Sequence, residues 1–191
     1  MAYEVAYEKA VNHTMNYEVG GFWDLEADGV RDGTNAHGCG YTNDPDDRGG
    51  ETKFGIAKSA NPDLDITNLD WSGAIATYYH RYWEPSNCTN ITSGRIAALH
   101  FDGCVNNGIG RASKFLQQAA GVTVDGQVGP GTLAAVNAAD EIAICNSICD
   151  LRVIFYNEIV ANHPDQAKYL NGWLRRINEM RAFTTDPAVT F

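Results

Sequence analysis

The sequence predicts an α+β fold in which helices dominate and any sheet is confined to a small β region within residues 22–57. Three observations lead there. From about residue 70 onward, apolar residues recur at three- and four-residue spacing and are interrupted at Gly and Pro. Residues 41–56 instead carry Pro45, the pair Gly49-Gly50 and a short apolar stretch, which suits neither a regular helix nor a central strand. With 44% hydrophobic and 10% aromatic residues in 191, the chain can bury a core, which excludes disorder and bounds it to one domain or one domain with an appendage.

Tyr3, Tyr7, Ala10, Thr14 and Tyr17 share a helical face with Val11 and Met15 beside it, so residues 3–17 read as a helix that Gly20-Gly21 stops. From Trp23 to Gly40 the chain is rich in Gly, Asp and Asn without periodicity, and is expected to be a long surface loop or a ragged hairpin. Residues 41–56 read as an ordered acidic loop followed by a short strand at Phe54 to Ile56, and Asn61-Pro62-Asp63 as a turn. A helix is expected from about Asp70 to Trp83, carrying Trp71, Ile75, Tyr78, Tyr79 and Tyr82, and ended by Pro85. Ser93 is placed to cap a helix through Ile96, Leu99, His100 and Val105. Gly108 and Gly110 separate it from a helix over 111–120, closed by Gly121. Asp125-Gly-Gln-Val-Gly-Pro-Gly-Thr132 is a turn into the next helix, with Pro130 where its missing N–H costs nothing. Asp140 caps a long helix to about Asn162, whose apolar stripe Ile144, Ile148, Leu151, Phe155 and Ile159, widened by Ile142 and Cys145, predicts the central buried helix. His163-Pro164-Asp165 breaks it, and a last helix carries Tyr169, Trp173, Ile177 and Met180 on one face.

The net charge of −10 with no basic stretch argues against a nucleic-acid partner. It also argues against electrostatic capture of anionic surfaces, so a polyanionic substrate would be held by shape and hydrogen bonds. No apolar run reaches 18 residues, and Glu4 and Glu8 interrupt the start, so neither membrane insertion nor an export signal is expected. On that expectation the sequons at Asn12, Asn87 and Asn90 carry no glycan. Five cysteines at irregular spacing do not make a disulfide scaffold; Cys145 and Cys149, one helical turn apart, read as core.

The chemistry concentrates near Glu18 and the acidic loop. At a helix C-terminus, Glu18 meets the negative end of the helix dipole, and nearby like charge adds to it; both favour the protonated form that a general acid requires. Glycosidases need such a carboxyl together with a second group for the anomeric carbon. Asp44, Asp46, Asp47 and Glu51 compete for that second role. The same residues can serve as turn caps, and their crowding resembles a calcium loop in composition although not in spacing. His37, Cys39, His80 and His100 supply zinc-ligand types without a CxxC or HExxH pattern, so no metal or cofactor is expected. Trp23, Tyr41, Tyr82 and Trp83 could stack on sugar rings or fill the core.

Glu18-Val-Gly-Gly-Phe22 is similar to the Glu-Gly-Gly-Tyr signature of the glycoside hydrolase family 108 muramidases, found in phage endolysins and related bacterial proteins. Asn43-Asp-Pro-Asp-Asp-Arg-Gly-Gly-Glu-Thr-Lys-Phe-Gly-Ile56 resembles the family's Asn-x-Pro-x-Asp-x-Gly-Gly-x-Thr-x-x-Gly-Ile run. Tyr82-Trp83, Phe101-Asp102 with Asn106-x-Gly108, Leu116-Gln117, Asp125-Gly-x-x-Gly-Pro-x-Thr132 and Gly172-Trp-Leu-x-Arg176 continue the likeness in order along the chain. Val19, Phe22 and Arg48 depart from the family's Gly, Tyr and Pro, and residues 23–40 are an insert.

The resemblance implies a lysozyme-like catalytic region over residues 1–100 and a helical predicted peptidoglycan-binding region over 101–191, packed as one globular unit. It implies Glu18 as the general acid, Asp47 as the second carboxylate, with Asp44 and Glu51 in reserve, and Thr52 as the residue that positions water. Tyr41, Asp44, Glu51, Trp83, Asn106 and Gln117 are the expected substrate contacts, with helix capping the open alternative for Asn106 and Gln117. The implied activity is hydrolysis of the β-1,4 bond between N-acetylmuramic acid and N-acetylglucosamine in peptidoglycan, by a monomer without cofactor. A phage-type enzyme of this kind would wait in the host cytoplasm for a holin-type pore. The rival readings are a lytic transglycosylase on the same scaffold and a non-catalytic peptidoglycan-binding or secretion-associated protein.

Overall fold

The expected helices recur among the described residues, three of them with the side-chain caps that the sequence suggests at Asp70, Ser93 and Asp140; the Gly20-Gly21 stop lies outside the described residues. A computed structural model of the chain describes residues 3–18, 41–43 and 50–191. It divides into two compact units, one formed by Met1–Ala10 with Arg81–Phe191 and the other by Val11–His80. Helix α3 (Gly94–Asn107) belongs to the larger unit because it packs on later helices.

The smaller unit holds the C-terminal part of α1 (Val5–Glu18), a two-stranded hairpin of β1 (Thr52–Lys53) and β2 (Ile56–Ala57), and α2 (Trp71–Tyr78). Within α1, Ala10, Val11, Thr14 and Met15 are buried, the face that the sequence periodicity marks out. The hairpin pairs Thr52 with Ala57 and Lys53 with Ile56, and Thr42 bridges Thr52 on the other side with both N–H···O distances at 2.9 Å. The expected strand at Phe54 to Ile56 is thus corrected: Phe54 and Gly55 form the turn, with φ of 53° and 73°. Two-residue hairpin turns of this kind need positive φ at both positions, which suits Gly and strains Phe. Burial of the Phe54 ring and a hydrogen bond from Tyr78 Oη to Phe54 O at 3.0 Å hold the strained residue in place. Asp70 caps α2, its Oδ1 accepting from Gly73 N at 2.7 Å, and the helix runs on into a π-helical turn, Tyr79–Trp83.

The larger unit is helical among its described residues, with α3, α4 (Ile109–Ala119), α5 (Pro130–Ala138), α6 (Glu141–Asn162) and α7 (Ala167–Thr185). Ser93 caps α3 and Asp140 caps α6, as their positions predict. Gly103 lets α3 approach α4, since a Cβ there would lie 3.2 Å from that of Ala112. The buried face of α6 differs from the expected stripe. It comprises Ile144, Cys145, Ile148, Cys149, Arg152 and Tyr156, whereas Leu151, Phe155 and Ile159 are only half-buried.

The reason for the rotation is Arg152, which is fully buried and donates from Nη1 to Asp102 Oδ2 at 2.8 Å. Arg176 on α7 donates to Asp102 Oδ1 from Nε at 3.0 Å and from Nη2 at 2.7 Å. Burial by itself would push the Asp102 carboxyl up, but Arg176 and Arg152 together outweigh it and hold the group below its ordinary value. Arg152 Nε is buried without a hydrogen-bond partner. Cys88, Cys104, Cys145 and Cys149 are free thiols in the core, and burial pushes Cys104 and Cys145 up to about 12 and Cys149 to about 11. Among the described residues no helix is long and apolar enough to cross a membrane.

Candidate active site

Glu18, the last residue of α1, is half-buried and stands against the hairpin turn. A Cβ on Gly55 would lie 3.1 Å from Glu18 Cβ and 3.4 Å from Glu18 Oε2, and 2.9 Å from Tyr78 Oη. Gly55 is therefore required twice, for its positive φ and for the close approach of the glutamate. Tyr78 fixes the turn from behind through Phe54 O, and the Phe54 ring in turn faces Trp71, with centroids 6.0 Å apart. Glu18 thus packs closely against a turn whose two residues are held at positive φ.

Thr52 lies on β1, three residues before Gly55, and its Oγ1 donates to Gly50 O at 3.2 Å. Glu51 is engaged in bracing: its Oε1 accepts from Tyr41 Oη at 3.0 Å and also from Thr67 Oγ1. Those bonds tie the Tyr41–Asn43 segment and residue 67 to the hairpin, so Glu51 and Tyr41 both act on the loop framework. Lys53 adds a further tie through Nζ to Thr67 O at 3.2 Å. Asp44 and Asp47 lie outside the described residues, as do the 23–40 insert and the histidine and cysteine at positions 37 and 39. Among the described residues no group of His, Cys, Asp and Glu is arranged to hold a metal ion.

The remaining expected substrate contacts belong to the larger unit and are occupied internally. Trp83 is 1% exposed; its Nε1 donates to Glu4 Oε1 at 2.5 Å, and its ring meets Tyr7 and Phe101 edge-on at 5.1 and 5.6 Å. With no ring face open, Trp83 fills the core and is not placed to stack on a sugar. Asn106 Oδ1 accepts from Arg152 Nη2 at 3.3 Å and from Tyr156 Oη, extending the buried Asp102 cluster. Gln117 is also 1% exposed. Its Nε2 reaches Asp125 Oδ1 at 2.7 Å, Gln127 O at 3.0 Å and Thr132 Oγ1 at 3.2 Å, while its Oε1 accepts from Gly126 N at 2.8 Å. It is the internal clamp of the Asp125–Thr132 turn.

Gly55 and Tyr78 are the residues that sequence reasoning missed as parts of the site. Gly55 carries a signal in the Phe-Gly dipeptide, whereas Tyr78 reads only as one more aromatic on a helical face.

Residues 32–108 match the family described as Glycosyl hydrolase 108, and residues 111–178 match the one described as Predicted Peptidoglycan domain. The first match begins downstream of Glu18, beyond the part of the insert nearest to it. Among solved structures the chain is similar to the structure of Brucella abortus SagA, at 25% identity, covering 96% of this chain and 98% of that one with a TM-score of 0.68. A comparison with the curated proteins finds no match. A fold that is mainly helical with one small hairpin among the described residues, and similar to SagA over 96% of the chain, accords with both matches. With the glycosyl hydrolase 108 match over residues 32–108 and the predicted peptidoglycan domain match behind it, the chain is a peptidoglycan-degrading glycoside hydrolase.

Proposed function

We propose that the chain is a phage-type endolysin that hydrolyses the β-1,4 bond between N-acetylmuramic acid and N-acetylglucosamine, with Glu18 as the general acid. The observation that carries this reading is the placement of Glu18 against Gly55 and the strained Phe54-Gly55 turn. A proton donor has to be held in a fixed relation to the scissile oxygen, and the hairpin supplies that rigidity. As the glycosidic C–O bond breaks, Glu18 delivers its proton to the leaving oxygen; water then adds at the anomeric carbon of the oxocarbenium-like sugar, and the proton it loses restores the acid form of Glu18. Thr52 is assigned to orient that water and Asp47 to stabilise the developing positive charge. Glu51 is assigned to the framework, because its hydrogen bonds from Tyr41 and Thr67 occupy it.

On this reading the enzyme accumulates in the host cytoplasm and reaches the wall through a holin-type pore, acting as a monomer; fractionation of induced cells before and after pore opening checks the first point. The decisive test is digestion of purified peptidoglycan by wild type and Glu18→Gln, with mass spectrometry of the released muropeptides. Reducing N-acetylmuramic acid ends from wild type only support the proposal. Anhydro ends would move the chain to the lytic transglycosylases, and release by both proteins would remove Glu18 from the chemistry.

A further inference from the structure

A cavity of about 260 Å³ opens beside the Asp125–Thr132 turn, lined by Gln117, Thr123, Asp125, Gln127, Pro130 and Thr132 among others. Its lining falls wholly within the stretch that matches the predicted peptidoglycan domain and includes no residue assigned above to catalysis. Its wall is fixed in advance. Gln117 bonds to four points of the turn, and Asp125 Oδ1 accepts from both Gln117 Nε2 and, at 2.8 Å, Gln127 N. These hydrogen bonds hold the Asp125 carboxyl below its ordinary value, so it is fully charged at neutral pH. They use one oxygen only. Asp125 Oδ2, the Thr123 hydroxyl and the Gln127 side-chain amide make no hydrogen bond among the described residues.

No Lys or Arg lines the cavity, so its one formal charge is negative. The ligand that complements it carries a cation, flanked by groups able to bond a hydroxyl and an amide. The whole chain, at −10, has little else with which to attract a wall polymer. In peptidoglycan the glycan strand offers no cation, whereas the peptide stems offer a primary amine. We infer that this cavity receives the side-chain ammonium of a peptidoglycan stem peptide, with Asp125 Oδ2 as its partner and Thr123 and Gln127 bonding the neighbouring peptide groups. Gln117 acts behind it as the positioning residue. The inference rests on peptidoglycan being the polymer, but its test does not use hydrolysis.

The experiment titrates the full chain with N-acetyl-L-Ala-γ-D-Glu-L-Lys, once with the lysine amine free and once with it acetylated, following the amide signals of Gly126, Gln127 and Thr132 by NMR. The pairing of an exposed carboxylate with an ammonium is modest, so wild type is expected to bind the free-amine peptide about two- to fivefold more tightly. Asp125→Asn keeps the Oδ1 acceptor and replaces Oδ2 by an amide; it is expected to bind both peptides alike. Equal binding of the two peptides by wild type, no binding of either, or a preference that persists in Asp125→Asn would each overturn the proposal. Should the variant lose the turn, the two peptides on wild type still decide. Normal muropeptide release without amine preference fails this inference alone, and amine preference without release fails only the hydrolytic reading.

Discussion

Glu18 and Asp102 both fall within the family-like motifs, yet the fold treats the two carboxylates in opposite ways. Glu18 is half-buried at a helix end, positioned sterically by Gly55 and a strained turn. Asp102 is fully buried and grasped on both oxygens by Arg152 and Arg176. On the proposed reading Glu18 must give up and regain a proton, which needs access, whereas a carboxyl clamped by two permanent cations stays ionised and acts as an anchor. If the proposal holds, the family-like motifs mix chemistry with architecture, and burial together with counter-ions separates them.

The contrast can be broken most directly at Glu18. Glu18→Gln is expected to lower peptidoglycan hydrolysis by up to about 10⁴-fold while leaving thermal unfolding nearly unchanged. An activity loss accompanied by an equal fall in stability would make Glu18 another anchor. Asp102→Asn should do the reverse: about 3–5 kcal/mol of stability lost in urea unfolding, because two buried guanidinium groups are left short of their counter-ion. A small effect would mean that the cluster relaxes or admits water.

His100 sharpens the comparison from the side of a buried group that stays neutral. Burial lowers its pKa from 6.5 to about 4, and its Nδ1 has no partner. The unfolded chain therefore takes up a proton as pH falls through 6.5, while the folded chain does not, and stability drops on acidification. Between pH 6.5 and 5 the expected loss is about 2 kcal/mol, and His100→Gln should flatten that part of the profile. A wild-type curve that is already flat over this window would rule the account out.

Gly55→Ala tests the steric side of the Glu18 site. A methyl group at positive φ and 3.1 Å from Glu18 Cβ should cost about 1 kcal/mol of stability, with a roughly tenfold fall in hydrolysis as the glutamate is displaced. The smallest effect is expected at Glu51→Gln, which retains an oxygen to accept from Tyr41 and Thr67: less than about 1 kcal/mol and near-normal activity. A collapse of activity in that variant, with the fold intact, would return Glu51 to the chemistry.

Local signals in the sequence translated well into structure. Asp70, Ser93 and Asp140 cap their helices through bonds to backbone three residues on, a relation that sequence spacing contains. The hairpin turn was legible only as a Gly-bearing apolar stretch, because what stabilises Phe54 at positive φ is Tyr78, 24 residues away in sequence. Arg152 was hidden for the same reason. An arginine inside an apolar helix reads as a solvent-facing residue until Asp102, 50 residues earlier, is found against it. Gln117 was identified as a position of interest but assigned to substrate, since nothing in its own neighbourhood reveals the turn that encloses it. Glu18 stands out in the sequence through local signals, a helix end, a glycine pair and an acidic loop, together with the family-like motif, and its role remains the proposal made above.

The four described thiols have a consequence for where such a protein can work. A thiol attacks or is oxidised as the thiolate, and Cys104, Cys145 and Cys149 are buried with that form pushed to pH 11 or 12, while Cys88 is shifted in the same direction. At these four positions peroxide or a disulfide exchanger therefore finds little thiolate to react with, and the buried thiols behave alike in reducing and oxidising surroundings.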